Sequence, residues 1–437
     1  MTKIVIVAGG LATRMRPITE EIPKCLIDIN GVPLIEHQLN EFKRQGFTEV
    51  IFCVAHLAEK VKEYFGDGSK WGMKIEYVQE TKKLLGTAGS VKLAQGLIDG
   101  DFIVYYGDNL TDMNLKALLA YHKAKGGVGT IVVRPLPKGY KSSSIITLDW
   151  NKRISVFLEK PPIEEFEKYA SEDQYINSGI YVFSKVALSF VPEGQKFDFA
   201  KQLFPLLMDE GLYGYPTGEF FREIGRVEKY ETFLQELSGS KDVFSIKPKK
   251  KSAVFLDRDG VINKNCDRLS TPEQFEMLPR VPEAIKKLND AGLLTVIVTS
   301  QPDISKGFLT KAALKEIHAK MTEGLGEARI DRIFVCPHHP EKGFSGELPE
   351  LKFDCACRKP KPGLILDAAR ELNIDLSHSF MVGDSKVDIL AGKAAGVKTF
   401  FVTSGGGSLS RQEKTFEDVS PDRVVSDLSA AVSLILQ

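Results

Sequence analysis

Residues 3–14, KIVIVAGGLATR, begin with a run of β-branched apolar residues and continue into a pair of glycines. The same order returns at residues 252–260, SAVFLDRDG, where an apolar run leads into an Asp-Arg-Asp-Gly turn. Short apolar runs that stop at turn residues are typical of buried strands. Each stretch therefore predicts the first strand of an α/β domain.

Strand-like and helix-like segments alternate after each of these two runs. In the first half, apolar runs at 50–54, 102–106 and 130–133 alternate with helix-like stretches at 34–45 and 114–125. The second half repeats the scheme, with apolar runs at 293–298, 333–335, 380–382 and 399–402 and helix-like segments at 282–291, 310–323 and 363–372. This alternation predicts mostly parallel sheets with helices on both faces, and hence two Rossmann-like three-layer α/β domains.

A candidate boundary lies between the halves. Residues 238–252, SGSKDVFSIKPKKKS, contain Gly, Ser and Pro and show no sustained helical or strand period. We therefore expect a first domain at 1–238, a linker at 239–251 and a second domain at 252–437. The lysines at 249–251 are interpreted as part of a solvated linker rather than a phosphate or nucleic-acid patch, because the chain as a whole is neutral.

Composition narrows the function classes. The chain has 437 residues, with 58 Lys+Arg against 58 Asp+Glu, which lacks the strong basic field of a dedicated nucleic-acid binder. We expect a small ligand and no nucleic-acid partner. No apolar run reaches the roughly 18 residues of a membrane span, and the N-terminus lacks a secretory pattern, so we expect a cytoplasmic protein with no membrane partner. The six cysteines show no disulfide framework. A homo-oligomer is left open.

The first candidate site follows the first strand. Two glycines let the backbone approach an oligophosphate and direct N–H groups toward it, while Arg14 and Lys24 add positive charge. The ordered set resembles the signature of the sugar-1-phosphate nucleotidyltransferases, and it comprises Gly9, Gly10, Thr13, Arg14, Pro17, Pro23 and Lys24, followed by Gly31 and Pro33. Leu11 and Ala12 of the same loop are also expected to contact the nucleotide. The alternative is a tight strand-to-helix turn with surface cations.

Further motifs extend this resemblance over about residues 1–235, particularly toward the mannose- and heptose-1-phosphate guanylyltransferases, and it implies a mixed sheet of the nucleotidyltransferase type. It implies that Gly86 and Thr87 face the nucleobase and sugar, and that Asp108, after Gly107, binds magnesium. The segments that resemble sugar-phosphate-binding ones contain Glu159, Lys160, Asn177 and Gly179.

The chemistry of such a site explains its residue types. A sugar phosphate carries nearly two negative charges at neutral pH, since its second pKa is about 6, so it needs no base to become a nucleophile. It needs neutralisation and in-line placement at the α-phosphorus of a nucleoside triphosphate. Arg14, Lys24 and Lys160, with magnesium on Asp108, would supply both as pyrophosphate leaves.

The sequence departs from that pattern twice. Ala12 stands where the usual residue is Gly, a small change provided that its φ is negative. Glu223 stands where relatives commonly carry the Asp that binds a second metal ion, and we expect it to bind magnesium despite its longer side chain. These departures motivate one rival, in which the N-terminal half is a non-catalytic nucleotide-sugar sensor that regulates the other half.

The second candidate site begins at Asp257 and Asp259, whose spacing projects both side chains to one side of an extended chain. Other reactive side chains follow later strands or precede a helix, namely Thr299, Ser300, Gln301, Arg358, Lys359, Asp384 and Asp388. Because the carboxyl ends of parallel strands meet at one edge of a sheet, these groups predict a single crevice. A simple Asx turn at 257–260 is the alternative.

This set resembles the haloacid dehalogenase superfamily over about residues 252–405. The resemblance implies that Asp257 is the nucleophile and that Asp259 protonates the leaving alcohol and later activates water. Thr299, Ser300 and Lys359 would hold the phosphoryl group. Gln301 and Arg358 would contact the substrate. Asp388 would support the metal shell or the lysine, and the expected magnesium ligands are Asp257, Asp259 and Asp384.

A third motif predicts structural zinc. Cys-x-His followed by Cys-x-Cys offers four soft or borderline ligands, which suit tetrahedral zinc, and they are Cys336, His338, Cys355 and Cys357. Free buried cysteines are the alternative. With the Arg-Lys-Pro that follows, the set resembles the histidinol-phosphate and heptose-1,7-bisphosphate phosphatase branch. Short segments after each core strand imply a minimal cap and a pocket that admits a phosphate on an extended sugar or polyol.

Together, the halves predict a bifunctional enzyme that uses magnesium in both domains and zinc in the second. Removal of the C7 phosphate from heptose 1,7-bisphosphate would leave heptose 1-phosphate, which nucleotidyl transfer would convert to a nucleotide-activated heptose. The resemblance favours GTP as the triphosphate. The nearest rival keeps both activities on another phosphorylated sugar or polyol, such as mannose or a glycerol derivative.

Overall fold

A computed structural model of the chain describes residues 2–81, 83–137, 139–140, 143–169, 173–404 and 419–437. The chain divides into two compact units, Met1–Pro248 and Lys249–Gln437. No helix in the described part of the chain is both long and apolar enough to cross a membrane.

The first unit is built around a nine-stranded mixed sheet. Its strands and those of two small two-stranded sheets are β1 (Ile4–Val7), β2 (Asp28–Ile29), β3 (Val32–Pro33), β4 (Glu49–Val54), β5 (Lys74–Gln79), β6 (Phe102–Tyr106), β7 (Asn109–Thr111), β8 (Gly129–Pro135), β9 (Ile145–Leu148), β10 (Ile154–Leu158), β11 (Tyr175–Phe183), β12 (Leu212–Pro216) and β13 (Phe221–Glu223). Its helices are α1 (Leu34–Arg44), α2 (Ala58–Phe65), α3 (Gly86–Leu93), α4 (Leu115–Lys125), α5 (Ile163–Lys168), α6 (Phe204–Leu207) and α7 (Val227–Leu237).

The first part of this sheet is parallel and the later part is mostly antiparallel. β1 lies between β4 and β6 and pairs with both in parallel, and β4 pairs with β5 in parallel. β11 then runs antiparallel to β6, β8 and β9. The carboxyl ends of β1 and β6 therefore open side by side, where a ligand crevice is expected.

The second unit is a six-stranded sheet in the order β16-β15-β14-β17-β18-β19, and every pairing in it is parallel. Its strands are β14 (Ala253–Leu256), β15 (Leu294–Ser300), β16 (Arg332–Cys336), β17 (Phe380–Gly383), β18 (Lys398–Val402) and β19 (Arg423–Val425). Its helices are α8 (Val281–Asp290), α9 (Lys311–Leu325), α10 (Gly363–Leu372), α11 (Lys386–Ala395) and α12 (Leu428–Ile435).

Each unit buries its own apolar core. The inner strands β1, β6 and β14 are fully or almost fully buried, as expected for strands covered on both faces. Residues of opposite parity along β1 belong to different clusters, Ile4 and Ile6 to one and Val5 to another. This is the side-chain alternation of a strand between two helical layers.

The predicted α/β class is confirmed, and each strand and helix expected from hydrophobic pattern forms within one or two residues of its expected bounds. The mixed sheet that the resemblance implies for the first unit is confirmed, since β11, β9 and β10 return as antiparallel partners, whereas the alternation of elements alone pointed to a mostly parallel sheet. Residues 86–89 form the first turn of α3.

The segment expected as a solvated linker is partly packed. Val243 is 1% exposed and belongs to a cluster with Phe220 and Phe233 of the first unit. Lys247 forms an ion pair with Asp112 at 2.9 Å. The division between the two units falls after these contacts, at Pro248.

Candidate active sites

A cavity of about 270 Å³ opens at the carboxyl ends of β1 and β6. Its lining includes most of the residues predicted to bind nucleotide, namely Gly9, Gly10, Ala12, Arg14, Lys24, Gly86, Thr87, Gly107 and Asp108. Gly9 is needed for the shape of the cavity wall, since a Cβ there would lie 3.1 Å from Glu80 Oε1 and 3.2 Å from Ala55 Cβ. Leu11 is exposed and is not among the described lining residues.

Ala12 has φ 47° and ψ 37°, in the left-handed region. The condition under which Ala in place of Gly would be a small change, a negative φ, is therefore not met. For a residue with a Cβ, this conformation costs roughly 1–2 kcal/mol. Local hydrogen bonds hold it, because the Ala12 carbonyl accepts from the Met15 amide at 2.9 Å and from Thr19 Oγ1 at 2.9 Å.

Lys24 and two carboxylates meet beside this cavity. Lys24 Nζ forms an ion pair with Asp108 Oδ2. The antiparallel pairing of β13 with β7 sets Glu223 opposite Asn109, and the Ile224 amide donates to the Asp108 carbonyl at 2.8 Å. The structure thus brings Glu223 next to Asp108, as the magnesium hypothesis requires.

Glu223 is held in its ionised form. Burial alone would raise its pKa, but a hydrogen bond and ion pair with Lys229, together with the charges of Lys24 and Arg14, lower it. Two carboxyl groups beside an anion-binding loop have the oxygen donors that Mg²⁺ prefers. The residues present therefore fit a magnesium ion.

The start of α3 is tied to a segment farther along the chain. Thr87 donates from its amide and its Oγ1 to Asp198 Oδ1, at 3.4 and 3.3 Å, and its Oγ1 accepts from the Phe199 amide at 3.0 Å. The Leu85 amide donates to Glu80 Oε2 at 2.5 Å. These bonds fix the loop that the resemblance places against nucleobase and sugar.

The predicted sugar-phosphate residues are not among the described lining residues, although Gly179 lies against one of them. A Cβ on Gly179 would be 3.1 Å from the Tyr106 ring, and Tyr106 lines the cavity. Asn177 Oδ1 accepts from the Gly179 amide at 3.0 Å. Burial raises the pKa of Glu159 against the opposing charge of Lys160, whose side chain is 70% exposed.

In the second unit, Lys359 occupies the centre of the crevice. Its Nζ lies 2.9 Å from Asp257 Oδ1 and 2.5 Å from Asp388 Oδ1, and it donates to the Val298 carbonyl at 3.1 Å. Burial would lower its pKa, but the two carboxylates raise it, so the ammonium stays charged. The strand ends thus meet as the parallel sheet predicts.

Three carboxylates surround this lysine, and their oxygens approach within 4.8 Å of one another; they belong to Asp257, Asp384 and Asp388. Burial raises the pKa of Asp257 to about 8, against the charge of Lys359, and that of Asp384 to about 6. Asp388 accepts from Ser385 Oγ at 2.5 Å. One ammonium cannot balance three carboxylates, of which Asp388 is buried and the other two are partly buried, so this oxygen-rich set fits a divalent cation.

Asp259 is not in this group, although it was predicted to bind the same metal. Its carboxylate accepts from Arg258 Nη2 at 2.9 Å, from Asn263 Nδ2 at 2.9 Å and from Gln301 Nε2 at 2.9 Å. Burial would raise its pKa, but Arg258 and the other donors lower it. The two aspartates therefore have different partners, Lys359 for Asp257 and Arg258 for Asp259, and their spacing in the sequence does not predict this difference.

The two hydroxyls at the end of β15 differ in their partners. Thr299 Oγ1 accepts from Gln301 Nε2 at 2.9 Å, so Gln301, predicted to contact substrate, joins Thr299 to Asp259 in this structure. Ser300 Oγ is buried and has no hydrogen-bond partner among the described residues. Ser300 therefore keeps a donor and an acceptor for a phosphoryl oxygen.

The four predicted zinc ligands form one cluster, with all ligand atoms within 4.8 Å of one another; they are Cys336, His338, Cys355 and Cys357. The sulfur atoms are 3.2 to 3.4 Å apart, far longer than a disulfide bond of about 2.0 Å. Sulfurs bound at about 2.3 Å to a shared tetrahedral zinc are roughly 3.8 Å apart. The donor chemistry and this close grouping fit zinc.

The cysteine cluster is connected directly to the cationic loop. The Arg358 amide donates to Cys355 Sγ at 3.3 Å, and Arg358 Nη1 donates to the His338 carbonyl at 3.1 Å. Arg358 is followed by Lys359. A metal in the cluster would therefore fix the backbone that presents both cations.

Sequence reasoning missed several residues at these sites. Glu80 and Asp198 support the first, and Arg258 and His318 support the second. Arg258 had a readable signal, since it stands between two predicted catalytic aspartates. His318 had no such signal, because no motif in the sequence of its helix connects that helix with β14.

The fold and the two sites define a chain that joins two phosphoryl-transfer domains. A nucleotidyl transferase family model matches residues 3–238, and a HAD-hydrolase-like model matches residues 356–431. The chain therefore belongs to the nucleotidyl transferase family and carries a HAD-like domain behind it. These matches confirm both resemblances drawn from the sequence.

Each half of the chain is similar to named proteins. The UTP–glucose-1-phosphate uridylyltransferase of Synechocystis sp. is 36% identical over 242 residues, 52% of this chain and 61% of that protein. The mannose-1-phosphate guanylyltransferase of Mycobacterium tuberculosis is 30% identical over 235 residues, 52% of this chain and 62% of that protein. The D-glycero-beta-D-manno-heptose-1,7-bisphosphate 7-phosphatase of Rhodopseudomonas palustris is 40% identical over 153 residues, 35% of this chain and 83% of that protein. The chain thus spans about three fifths of these two nucleotidyltransferases and most of the phosphatase.

Proposed function

We propose that the chain is a bifunctional enzyme of nucleotide-activated heptose synthesis. Its second domain would remove the C7 phosphate of D-glycero-D-manno-heptose 1,7-bisphosphate, and its first would transfer a nucleotidyl group to the resulting heptose 1-phosphate. One observation carries the proposal. A domain of the sugar-1-phosphate nucleotidyltransferase type is fused to a domain similar to phosphatases named for the 7-phosphate of a 1,7-bisphosphate.

At the first site, the side chains would neutralise and orient the phosphates of both substrates. None of the residues assigned there needs to abstract a proton. The glycine loop would cradle the triphosphate, with Arg14 and Lys24 along it. Magnesium held by Asp108 and Glu223 would supply charge neutralisation at the phosphates. The sugar phosphate oxygen then bonds to the α-phosphorus as the bond to pyrophosphate breaks, and no proton needs to move.

At the second site, the two aspartates divide the reaction. Asp257 bonds to the phosphorus, the bond to the alcohol oxygen breaks, and Asp259, which must first take up a proton from solvent because its pKa is lowered, gives that proton to the alcohol oxygen. Water then bonds to the same phosphorus, its proton passes to Asp259, and the bond to Asp257 breaks. Lys359 and Ser300 would hold the phosphoryl oxygens. Magnesium, when bound by Asp257 and Asp384, would neutralise the charge of the phosphoryl oxygens.

The remaining parts of the proposal concern cofactors and setting. Zinc at the cysteine cluster is proposed as structural. GTP is the proposed triphosphate on the resemblance to guanylyltransferases, although the relatives include both a guanylyl- and a uridylyltransferase. All six cysteines are free, which supports a reducing compartment such as the cytoplasm.

A substrate panel tests the proposal. Heptose, hexose and glycerol phosphates are crossed with the four nucleoside triphosphates, and orthophosphate and pyrophosphate are scored separately. We expect orthophosphate from heptose 1,7-bisphosphate and pyrophosphate from heptose 1-phosphate with GTP. Preference for a mannose or glycerol phosphate would reassign the substrate. Orthophosphate release without pyrophosphate from any pair would support the sensor alternative instead.

A further inference from the structure

Arg258 is a fully buried arginine between the two predicted catalytic aspartates. Its guanidinium donates from Nε and Nη2 to Asp259 Oδ1, at 3.2 and 3.1 Å, and from Nη2 to Asp259 Oδ2 at 2.9 Å. This fork contacts both oxygens of the carboxylate. Its planar geometry therefore fixes the orientation of Asp259 as well as its position.

The far side of the guanidinium faces a histidine from another element. His318, on α9, places Nε2 3.4 Å from Arg258 Nη1. Arginine has only donors, so Nε2 must be the acceptor and the imidazole must be neutral. Burial, with the charge of Arg258, lowers the pKa of His318 to about 4, so this neutral form is the one present at neutral pH.

We infer that Arg258 and His318 are positioning residues, a pair in which the histidine fixes the guanidinium and the guanidinium aims Asp259 at the leaving-group oxygen. The inference rests on the proposed phosphatase function. Asn263 and Gln301 hold the same carboxylate, but each supplies a single donor to one oxygen. Only Arg258 spans both oxygens, so its orientation decides the angle of the carboxylate.

The basicity of the leaving group distinguishes a positioning role of Arg258 and His318 from a purely structural one. An alkyl phosphate expels a strongly basic alkoxide and needs the proton of Asp259. A p-nitrophenyl phosphate expels a weakly basic phenolate and needs little help. A misplaced Asp259 therefore slows formation of the aspartyl-phosphate from alkyl esters, whereas a loosened fold slows it from both.

The experiment compares His318→Leu, which removes the acceptor, with His318→Gln, which keeps one. The kcat/KM values are measured with p-nitrophenyl phosphate and with the alkyl phosphate that the wild-type protein hydrolyses best. We expect His318→Leu to lower the alkyl-ester value by about 10- to 100-fold and the aryl-ester value by less than about twofold. His318→Gln should recover most of the loss. Glu316→Gln, at an exposed position on the same helix, is the matched control and should change neither value.

Equal losses on the two esters would overturn the inference and return His318 to a purely structural role. If His318→Leu does not fold, Arg258→Lys, which keeps the charge but loses the fork, is measured in its place, and its loss must fall on the alkyl ester. A wild-type protein that hydrolyses neither ester would overturn the proposed function, and the positioning role with it.

Discussion

Asp257 is the side chain on which the phosphatase chemistry depends most. It lies within 2.9 Å of Lys359 and belongs to the three-carboxylate group. An amide in its place cannot form an acyl-phosphate, so Asp257→Asn should lower orthophosphate release by on the order of 10³-fold or more. Pyrophosphate release from a ready-made sugar 1-phosphate should stay close to the wild-type rate, because that site lies in the other unit.

Separate colorimetric assays of the two products check this prediction on one preparation. The pyrophosphate assay also serves as the control for correct folding of the first unit. Substantial orthophosphate release by the variant would remove Asp257 from the nucleophile role.

Glu223 is one of the two positions at which the sequence departs from the nucleotidyltransferase pattern. It lies beside Asp108 through the pairing of β13 with β7, and it is ionised. If both carboxylates bind magnesium, Glu223→Gln should raise the magnesium concentration needed for half-maximal nucleotidyl transfer. Asp108→Asn should nearly eliminate turnover. Magnesium titrations of pyrophosphate release compare the two, and unchanged kinetics for Glu223→Gln would assign it a structural role with Lys229.

The loop between β16 and α10 is the element that metal binding should control. It carries three of the four predicted zinc ligands, the fourth being Cys336 at the end of β16, and it presents Arg358 and Lys359. Cys355→Ser should therefore lower the zinc content from about one per chain and destabilise the second unit, while Cys266→Ser, an exposed cysteine outside the cluster, should do neither. Elemental analysis and thermal unfolding measure both effects. Fully active wild-type protein without zinc would contradict the hypothesis.

The sequence predicted the strands and helices better than the contacts that hold the site residues in place. The strands and helices with strong apolar periodicity, such as β6 and α10, form where their pattern indicates. The antiparallel return through β11 could be expected only from the family resemblance and not from the hydrophobic pattern, because a buried strand looks the same in either direction. The left-handed φ of Ala12 was also hidden, since it depends on hydrogen bonds to Met15 and Thr19. Contacts between distant segments, such as Arg258 with His318, leave no mark in either local sequence.

For the whole molecule, the proposed function implies an order of the two reactions. The nucleotidyl transfer site needs the phosphate at C1 of the sugar, so the phosphatase site must leave that phosphate intact. An anomeric phosphate is held against the ring, whereas a C7 phosphate stands on a flexible arm that can reach into a crevice with a minimal cap. We therefore expect the bisphosphate to lose only its C7 phosphate before a triphosphate is used.

Phosphorus NMR of the first product tests this claim most directly. Wild-type protein is incubated with heptose 1,7-bisphosphate and magnesium, the spectrum is recorded, and GTP is then added to the same tube. The account predicts loss of the C7 signal, survival of the C1 signal, and then the paired signals of a nucleotide-sugar diphosphate. A surviving C7 signal with the C1 signal lost would contradict it, because the first domain would then have no nucleophile.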